Sequence, residues 1–399
     1  MSKRRSLAFV GTGKVDMVVR SSGVLSSILH APAQLAATLR RNGTRTVPAA
    51  VLPDSELIHL GGGEMLPVPG IESMPIAPIA RSLGLGSASL ALPAAKVHVL
   101  HEASICPGAR VVKDREGRVV SESLTADMAR RVALGEDTYG RRPLRLSGNV
   151  AIYRSPFRPH YHTLIDHLPR AALLAQPAMH RLGRITLVHD GPLDPIEELL
   201  LPHLLGGRIE LLEVEPDRVV QADTVLLPGY VTRPGAGAIP SWYRRWVDRT
   251  AASLGPSDPD EARLPRRIFV ERTIGPRRVT NRAELDPVLC RHGVQALDLT
   301  KLSPEQEVRL FRDAELVVGV TGSGLANALF SRSAHVVELV AGQQVLPTFF
   351  YLATSKGLPY DYVLGPRDNQ RLSAERRLEH DVRVDAGAVD RLLSRLDDA

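Results

Sequence analysis

The sequence predicts an α/β protein built mainly from parallel strands. From residue 96 onward, short apolar runs typical of strands alternate with segments of helical periodicity, the order of elements that parallel sheets require. Aromatic residues make up only 4% of the 399 residues, so Leu, Val, Ile and Ala must fill the core, as they do in sheets covered by helices on both faces. A chain of this length can bury two cores, which favours two domains.

The first predicted domain spans residues 96–235. Its expected elements are a strand at 97–100, a hairpin within 108–120, a helix at 164–174, a strand at 185–188, a helix at 195–205, and strands at 209–214 and 224–228. Residues 1–95 contain one helical pattern, at 24–39, and then a Pro-, Gly- and Ser-rich stretch that is expected to be linker or irregular cover. Prolines and glycines at 232–240 predict a hinge between the domains.

The second predicted domain spans residues 236–399 and begins with a helix at 241–252. A strand at 267–272 precedes a helix that starts at Asn281, where Asn281 and Glu284 resemble a capping box. Ser303 and Gln306 form the same pattern for the next helix, with proline at its first position. A third strand then ends at Val320. This succession predicts strand-helix units with parallel strands.

The third strand runs into a glycine turn, Gly322-Ser323-Gly324, which opens another helix. Backbone N–H groups at a helix N-terminus, together with the helix dipole, favour bound anions, so the turn predicts a phosphorylated ligand. Arg272 and Arg278 come just after the strand that begins at Arg267 and can add positive charge, although Arg272 can instead pair with Glu271 or another surface acid. Glu338 ends the next strand, where it either accepts the ribose hydroxyls or caps the strand.

Polar residues are densest at 160–170. If this segment is helical, His162 and Asp166 lie one turn apart on the same face and can form a hydrogen bond. The carboxylate would then orient the imidazole, and either group could act as a general base. The structural alternative is that the two residues brace the start of a helix ahead of Pro169.

Charge and cysteine content exclude several classes. The net charge is +6, but basic residues are interleaved with 44 acidic ones, so no nucleic-acid partner is expected. A mild attraction to anionic substrates or, peripherally, to a membrane surface is the simpler interpretation. Cys106 and Cys290 form no CxxC pair, which predicts neither a zinc site nor a disulfide framework and fits a cytoplasmic protein. The apolar run near the N-terminus is too short for a signal peptide, and no transmembrane segment is expected.

Taken in order, the two clusters resemble glycosyltransferase family 61, over about residues 96–345. The residues that carry the resemblance are His162, Asp166, Leu168-Pro169-Arg170, Arg267 to Arg272, Arg278, Asn281, Glu284-Leu285, Leu302 to Phe311, Gly322 to Asn327 and Val337-Glu338-Leu339.

The resemblance implies a GT-B-like fold, in which two Rossmann-like domains with mostly parallel sheets face a cleft. It implies inverting transfer of a sugar from a nucleotide-sugar donor, expected to be UDP-linked, to a glycan acceptor, as in capsular polysaccharide biosynthesis, without a cofactor or metal. The implied catalytic residues are Asp166 and His162. The implied donor-binding residues are Arg272, Arg278, Thr321, Gly322, Ser323, Gly324, Asn327 and Glu338.

The chain departs from the family pattern at two places. Thr321 stands where many relatives have histidine, and Pro159 and Thr163 replace the asparagine and tryptophan that flank the histidine of the first motif. A hydroxyl donates to phosphate but carries no charge near neutral pH. A non-catalytic module that binds a glycan or nucleotide is therefore the alternative to an enzyme. An NAD-linked oxidoreductase is less favoured, because Gly11-Thr12-Gly13 lacks the third glycine of a dinucleotide fingerprint.

Overall fold

The computed structural model describes residues 6–7, 15–16, 46–68, 89–124, 142–155, 157, 159–232, 236–255, 264–340, 347–366 and 380–398. The predicted helix at 24–39 and the glycines at 11 and 13 lie outside these ranges. Within them, no helix combines the length and apolar character needed to cross a membrane.

The first part of the chain forms a mixed ten-stranded sheet. The strands up to residue 228 are β1 (Ser6–Leu7), β2 (Val15–Asp16), β3 (Thr46–Val47), β4 (Glu56–Gly61), β5 (Met65–Pro67), β6 (Ser89–Ala91), β7 (Ala95–His101), β8 (Ser104–Cys106), β9 (Val111–Lys113), β10 (Val119–Val120), β11 (Arg142–Ile152), β12 (Ile185–Asp190), β13 (Ile209–Val214) and β14 (Arg218–Pro228). Four of them, in the order β13-β12-β11-β14, are mutually parallel, while β7 and β8 pair antiparallel with the far edge of β14. The two-stranded pairs β1-β2 and β5-β6 stand apart from this sheet.

Three helical segments accompany the parallel strands. They are α1 (His160–His162), which continues through a π-helical turn (Thr163–His167) into α2 (Leu168–Leu174), and α3 (Pro195–Leu205). The predicted strands and the bounds of α3 are confirmed. Strand β11 was not predicted, because its first half is polar and largely exposed. Residues 56–61 were predicted to be irregular, and this is wrong: β4 pairs with β7.

The second part of the chain forms a five-stranded sheet in which every neighbouring pair is parallel. Its strands are β15 (Arg267–Glu271), β16 (Gln295–Asp298), β17 (Leu316–Val320), β18 (His335–Val340) and β19 (Tyr360–Leu364), in the order β16-β15-β17-β18-β19. The α-helices are α4 (Ser241–Ser253), α5 (Arg282–Arg291), α6 (Pro304–Asp313), α7 (Thr348–Lys356) and α8 (Ala386–Asp397). Short 3-10 segments are Ala49–Val51, Ser121–Ser123, Pro177–Leu182, Gly206–Arg208, Leu299–Lys301 and Ser323–Phe330.

The two predicted capping boxes differ in outcome. Helix α6 has the box, since the Ser303 hydroxyl accepts from Gln306 N and the Gln306 side chain accepts from Ser303 N. The box predicted at Asn281 is wrong. The Asn281 amide instead bonds both backbone groups of Val384, at 2.9 Å each, and so holds the C-terminal segment against α5.

One apolar core extends across both sheets. It joins Leu164 and Ile165 of the first part to Leu325, Leu329 and Phe330 of the second, all at most 2% exposed. Burial of this many aliphatic side chains is the main force that holds the two parts together. Through this packing, α1 lies next to the helix that follows the glycine turn.

The described part of the predicted hinge is packed. Residues 236–240 are buried, and Ile239 N donates to the Ser355 hydroxyl of α7 at 3.2 Å. Gly237 has a φ of 68°, a conformation that glycine adopts at little cost. A Cβ at this position would lie 2.3 Å from the Thr348 carbonyl oxygen. The segment is therefore fixed against α7 by close backbone contact.

Replacing Gly237 with alanine is expected to lower the free energy of unfolding by at least about 2 kcal/mol, because the substitution adds backbone strain to a steric clash. Urea denaturation measures the change. The matched control is Gly62→Ala, since no atom lies within 4 Å of a Cβ built at that exposed glycine. Equal stability of the two variants would show that the 236–240 segment is not held by this contact.

Candidate functional site

The switch point of the second sheet lies between β15 and β17. Strand β16 lies on one side of β15 and β17 on the other, so the connections leave the carboxyl ends of β15 and β17 in opposite directions. Ligands of open α/β sheets bind at such a point. A cavity of about 300 Å³ lies there. Its lining includes His160, Val270, Glu271, Arg272, Thr273, Ile274, Asp298, Thr300, Glu307, Gly322, Ser323 and Gly324.

We call this cavity the turn cavity, because the glycine turn forms one wall. A second cavity of about 280 Å³ adjoins it and shares Glu271, Arg272, Thr273 and Val320. We call it the side cavity. Arg272 thus lies at the boundary between the two. His160 is the residue of the first part of the chain that lines the turn cavity, so both parts contribute to it.

Neighbouring side chains pack closely against the two glycines of the turn. Gly322 has extended backbone, and a Cβ there would lie 2.7 Å from Arg272 Nη1. A Cβ at Gly324 would lie 2.9 Å from Val270 Cγ1. The helix that follows is 3-10, from Ser323 to Phe330, and the first N–H groups of any helix lack acceptors within it. The predicted strand, turn and helix are therefore all present, with two glycines that a side chain would crowd.

Two arginines meet beside this turn. Among the described residues, the Nε atoms of Arg272 and Arg277 are buried without a hydrogen-bond partner. Arg277 adopts a φ of 70° and donates from Nη1 to the Thr321 carbonyl at 3.0 Å. Burial lowers the pKa of Arg272, and burial together with the neighbouring Arg272 charge lowers the pKa of Arg277 to about 10. Two partly desolvated cations with spare donors are chemically suited to bind an anion.

Arg278, predicted to bind the donor, is engaged elsewhere. Its side chain donates to Asp381 from Nη2 at 3.1 Å, and its backbone N donates to the same carboxylate at 3.0 Å. It lines only the side cavity of the two. The alternative in which Arg272 pairs with Glu271 is not observed: Glu271 pairs with Arg282, and Arg272 forms no ion pair among the described residues. The sequence analysis did not predict a role for Arg277. Arg277 and Arg278 are adjacent in the chain, and only the backbone conformation of the turn determines which of the two side chains lies beside Thr321.

Glu338, predicted to take the ribose hydroxyls, lies inside the protein. It is 1% exposed, accepts from the Thr321 hydroxyl and accepts from the Tyr360 hydroxyl at 2.6 Å. Neither cavity includes it in its lining. Burial raises the pKa of Glu338 to about 7, against the opposing hydrogen bonds. The structure thus uses Glu338 to fix Thr321, one residue before the turn.

This raised pKa makes stability depend on pH. Because the pKa of Glu338 is about 7 in the folded chain and 4.5 without burial, the folded state binds more protons between these values, and the free energy of unfolding falls as the pH rises through them. Glu338→Gln is expected to remove this loss, so that its stability relative to wild type improves by up to about 3 kcal/mol between pH 5 and pH 8, at about 1.4 kcal/mol per pH unit. Denaturant unfolding at both pH values measures it. Glu315→Gln, at an exposed carboxylate, is the control, and parallel behaviour of the two variants would contradict the assignment.

Asn327 connects the two parts of the chain. It is fully buried, and its Oδ1 lies 2.8 Å from His160 Nε2, while its Nδ2 donates to Glu307. Glu307 lies 3.8 Å from His160 Nε2. Burial raises the pKa of Glu307, and the charge of His160 and the Asn327 bond oppose that shift. The prediction that Asn327 belongs to the site residues remains a prediction.

His162 and Asp166 form the predicted hydrogen bond, with Nδ1 and Oδ2 2.6 Å apart. The other carboxylate oxygen of Asp166 accepts from Thr232 at 3.3 Å, and the His162 ring stacks on Phe157 with centroids 4.5 Å apart. Neither His162 nor Asp166 lines the turn cavity or the side cavity. Their predicted catalytic role stays a prediction.

The arginine of the Leu-Pro-Arg motif is structural. Arg170 is 2% exposed and donates to the carbonyls of Pro228, at 3.0 Å, and Tyr153, at 2.8 Å. These carbonyls lie at or just beyond the ends of β14 and β11, so Arg170 joins the carboxyl ends of the two strands that border the switch point of the first sheet. Among the described residues, no group of three His, Cys, Asp or Glu side chains is placed to hold a metal ion.

A comparison with known protein families matches the part of the chain that contains the site. The model of the family Glycosyltransferase 61 matches residues 160–337, which run from α1 through the glycine turn. None of the curated proteins matches the chain. Among solved structures, the chain is similar to the dodecameric iron-containing heptosyltransferase TibC in complex with ADP-D-beta-D-heptose, at 14% identity and a TM-score of 0.33, over 64% of this chain and 78% of that one. The resemblance found in the sequence is thus confirmed: over residues 160–337 this chain matches the glycosyltransferase 61 family, and the match supports glycosyltransferase activity.

Proposed function

We propose that this chain transfers a sugar from a nucleoside-diphosphate donor to a hydroxyl of a glycan acceptor. The observation that carries the proposal is the convergence of two half-buried arginines, Arg272 and Arg277, on the start of helix Ser323–Phe330; neither has an ion-pair partner among the described residues, and the Nε atom of each is buried. Their position at the switch point of a parallel sheet adds to it.

The chemistry of the leaving group explains why such a site is needed. Breaking the bond between the sugar and the diphosphate leaves additional negative charge on the phosphate oxygens. Fixed cations and N–H groups that already point at this position stabilise the charge without reorganising. Arg272 and Arg277 supply the cations, and the backbone at Ser323 and Gly324 supplies the N–H groups. A resident metal is not required for this role.

The proposal includes a GT-B-like division of labour. The second sheet would hold the donor in the turn and side cavities, while the first sheet would present the acceptor from the side where His160 enters the turn cavity. Transfer with inversion follows if the acceptor hydroxyl attacks the sugar opposite the diphosphate. A UDP-linked donor and an acceptor from capsular polysaccharide biosynthesis are the expectations that the resemblance supplies.

Thermal unfolding with UDP, GDP and dTDP, followed by incubation with the corresponding nucleotide sugars, tests the proposal. A ligand that binds only the folded chain raises the melting temperature, so one nucleoside diphosphate should do so, and its sugar conjugate should be hydrolysed or transferred. Binding without turnover would favour the non-catalytic module. Absence of any stabilisation by these nucleotides would refute the donor site.

A further inference from the structure

We propose that His160 is the general base of the transfer, and that Asn327 and Glu307 hold it in the orientation and tautomer this role requires. The inference rests on the proposed function and adds a residue that the sequence patterns did not single out. His160 lies at the N-terminus of α1 and lines the same cavity as Gly322 to Gly324. It is thus a basic side chain from the first part of the chain that enters the turn cavity.

A chain of hydrogen bonds sets the tautomer. The Asn327 amide is oriented by its two partners: Nδ2 donates to the Glu307 carboxylate, which leaves Oδ1 facing His160 Nε2 at 2.8 Å. An amide oxygen only accepts, so His160 Nε2 must carry the proton. In the neutral ring the lone pair then lies on Nδ1, and this nitrogen can accept a proton from a substrate.

Glu307 completes the arrangement. Its carboxylate lies 3.8 Å from His160 Nε2, so its negative charge stabilises the imidazolium that forms when the ring takes up a proton. In the serine-hydrolase triad a carboxylate orients the histidine and stabilises its charged form. Here the Glu307 carboxylate does so through the Asn327 amide, which lies between the carboxylate and the His160 ring. Asn327 and Glu307 are positioning residues, because they act through His160.

The step balances with the groups present. The acceptor oxygen forms a bond to the anomeric carbon while the bond from that carbon to the diphosphate oxygen breaks. The acceptor proton passes to His160 Nδ1, and the electron pair of the broken bond leaves with the nucleoside diphosphate beside Arg272. The other candidates, His162 and Asp166, bond each other, and neither lines the turn cavity.

Release of nucleoside diphosphate with water as acceptor tests the inference, using whichever UDP-, GDP- or dTDP-sugar the wild-type protein hydrolyses fastest. His160→Gln retains a donor for Asn327 but removes the basic nitrogen. We expect it to lower the rate at least about 100-fold, the scale of general base catalysis, while affinity for the nucleoside diphosphate stays within about threefold. Added imidazole should restore part of the activity of His160→Ala.

Three further variants sharpen the result. Glu307→Gln keeps an acceptor for Asn327 without the charge, so kcat should fall at least about tenfold with the donor KM unchanged. His162→Asn should lose less activity than His160→Gln, and the exposed His180→Gln is the matched histidine control. Wild-type rates in His160→Gln, or a greater loss in His162→Asn, would overturn the inference while nucleotide binding still upheld the donor site. A wild-type protein that binds none of the nucleotides would instead refute the proposed function.

Discussion

Arg272→Ala is expected to weaken nucleoside-diphosphate binding by about 30- to 1,000-fold, measured by isothermal titration calorimetry. The guanidinium lies beside the glycine turn, Arg272 lines both cavities, and the side chain has no ion-pair partner among the described residues, so it can donate to a phosphate bound there. Losing a charged hydrogen-bonding group from such a contact costs about 2–4 kcal/mol.

The melting temperature of the free protein separates this effect from misfolding. Arg272 lies half-buried close to Arg277, so two like charges are partly desolvated beside each other, and removing one relieves their repulsion. The free variant should therefore melt no lower than wild type, and only the increase caused by ligand should disappear. Arg266→Ala, at an exposed arginine paired with Glu315, is the control. Unchanged affinity in Arg272→Ala would place the diphosphate elsewhere.

Gly322→Ala is expected to weaken the same ligand by at least about 30-fold without a large loss of stability. The added methyl group would meet Arg272 Nη1 at 2.7 Å, and the end of a flexible side chain moves more readily than backbone does. Because Gly322 has extended backbone, alanine adds no strain in φ. The guanidinium should leave its position by the turn, with the consequence that its phosphate contacts are lost.

A double-mutant cycle distinguishes this mechanism from a direct clash with ligand. If Gly322 matters because it admits Arg272, then adding Gly322→Ala to Arg272→Ala should cost little more than Arg272→Ala alone. Calorimetry on the four proteins gives the coupling. Gly207→Ala, where a Cβ meets no atom within 4 Å, is the neutral control. Additive losses would show that the alanine obstructs the ligand itself.

The periodic elements could be predicted from sequence because each carries its own local signal. Helix α3 begins and ends at the predicted residues, and the Ser303 capping box is present. Strand β11 escaped prediction, since a long strand with a polar, exposed first half lacks an apolar run. Asn281 has the sequence of a cap but is used by a segment 103 residues away, a partner that no local pattern reveals.

In the candidate site, too, features with a local sequence signal could be predicted, whereas features set by distant contacts could not. The glycine turn was recognisable because strand, glycines and helix are adjacent in the chain. The surroundings of His160 and Glu338 could not be predicted from pattern, because they depend on contacts across 167 and 22 residues. A histidine two positions from the predicted one lines the cavity, while a strand-end glutamate lies inside the sheet. Whether such a residue faces the cavity or the interior depends on the direction of its side chain, which is set by packing as well as by its position in the sequence.

A crystal structure with the nucleoside diphosphate that stabilises the protein most tests the central claim directly. The account predicts phosphate oxygens within hydrogen-bond distance of Arg272 and of the backbone N–H groups at Ser323 and Gly324, with Arg277 close by. A diphosphate bound away from this turn, for instance beside Arg278 and Asp381 or against His162 and Asp166, would contradict it.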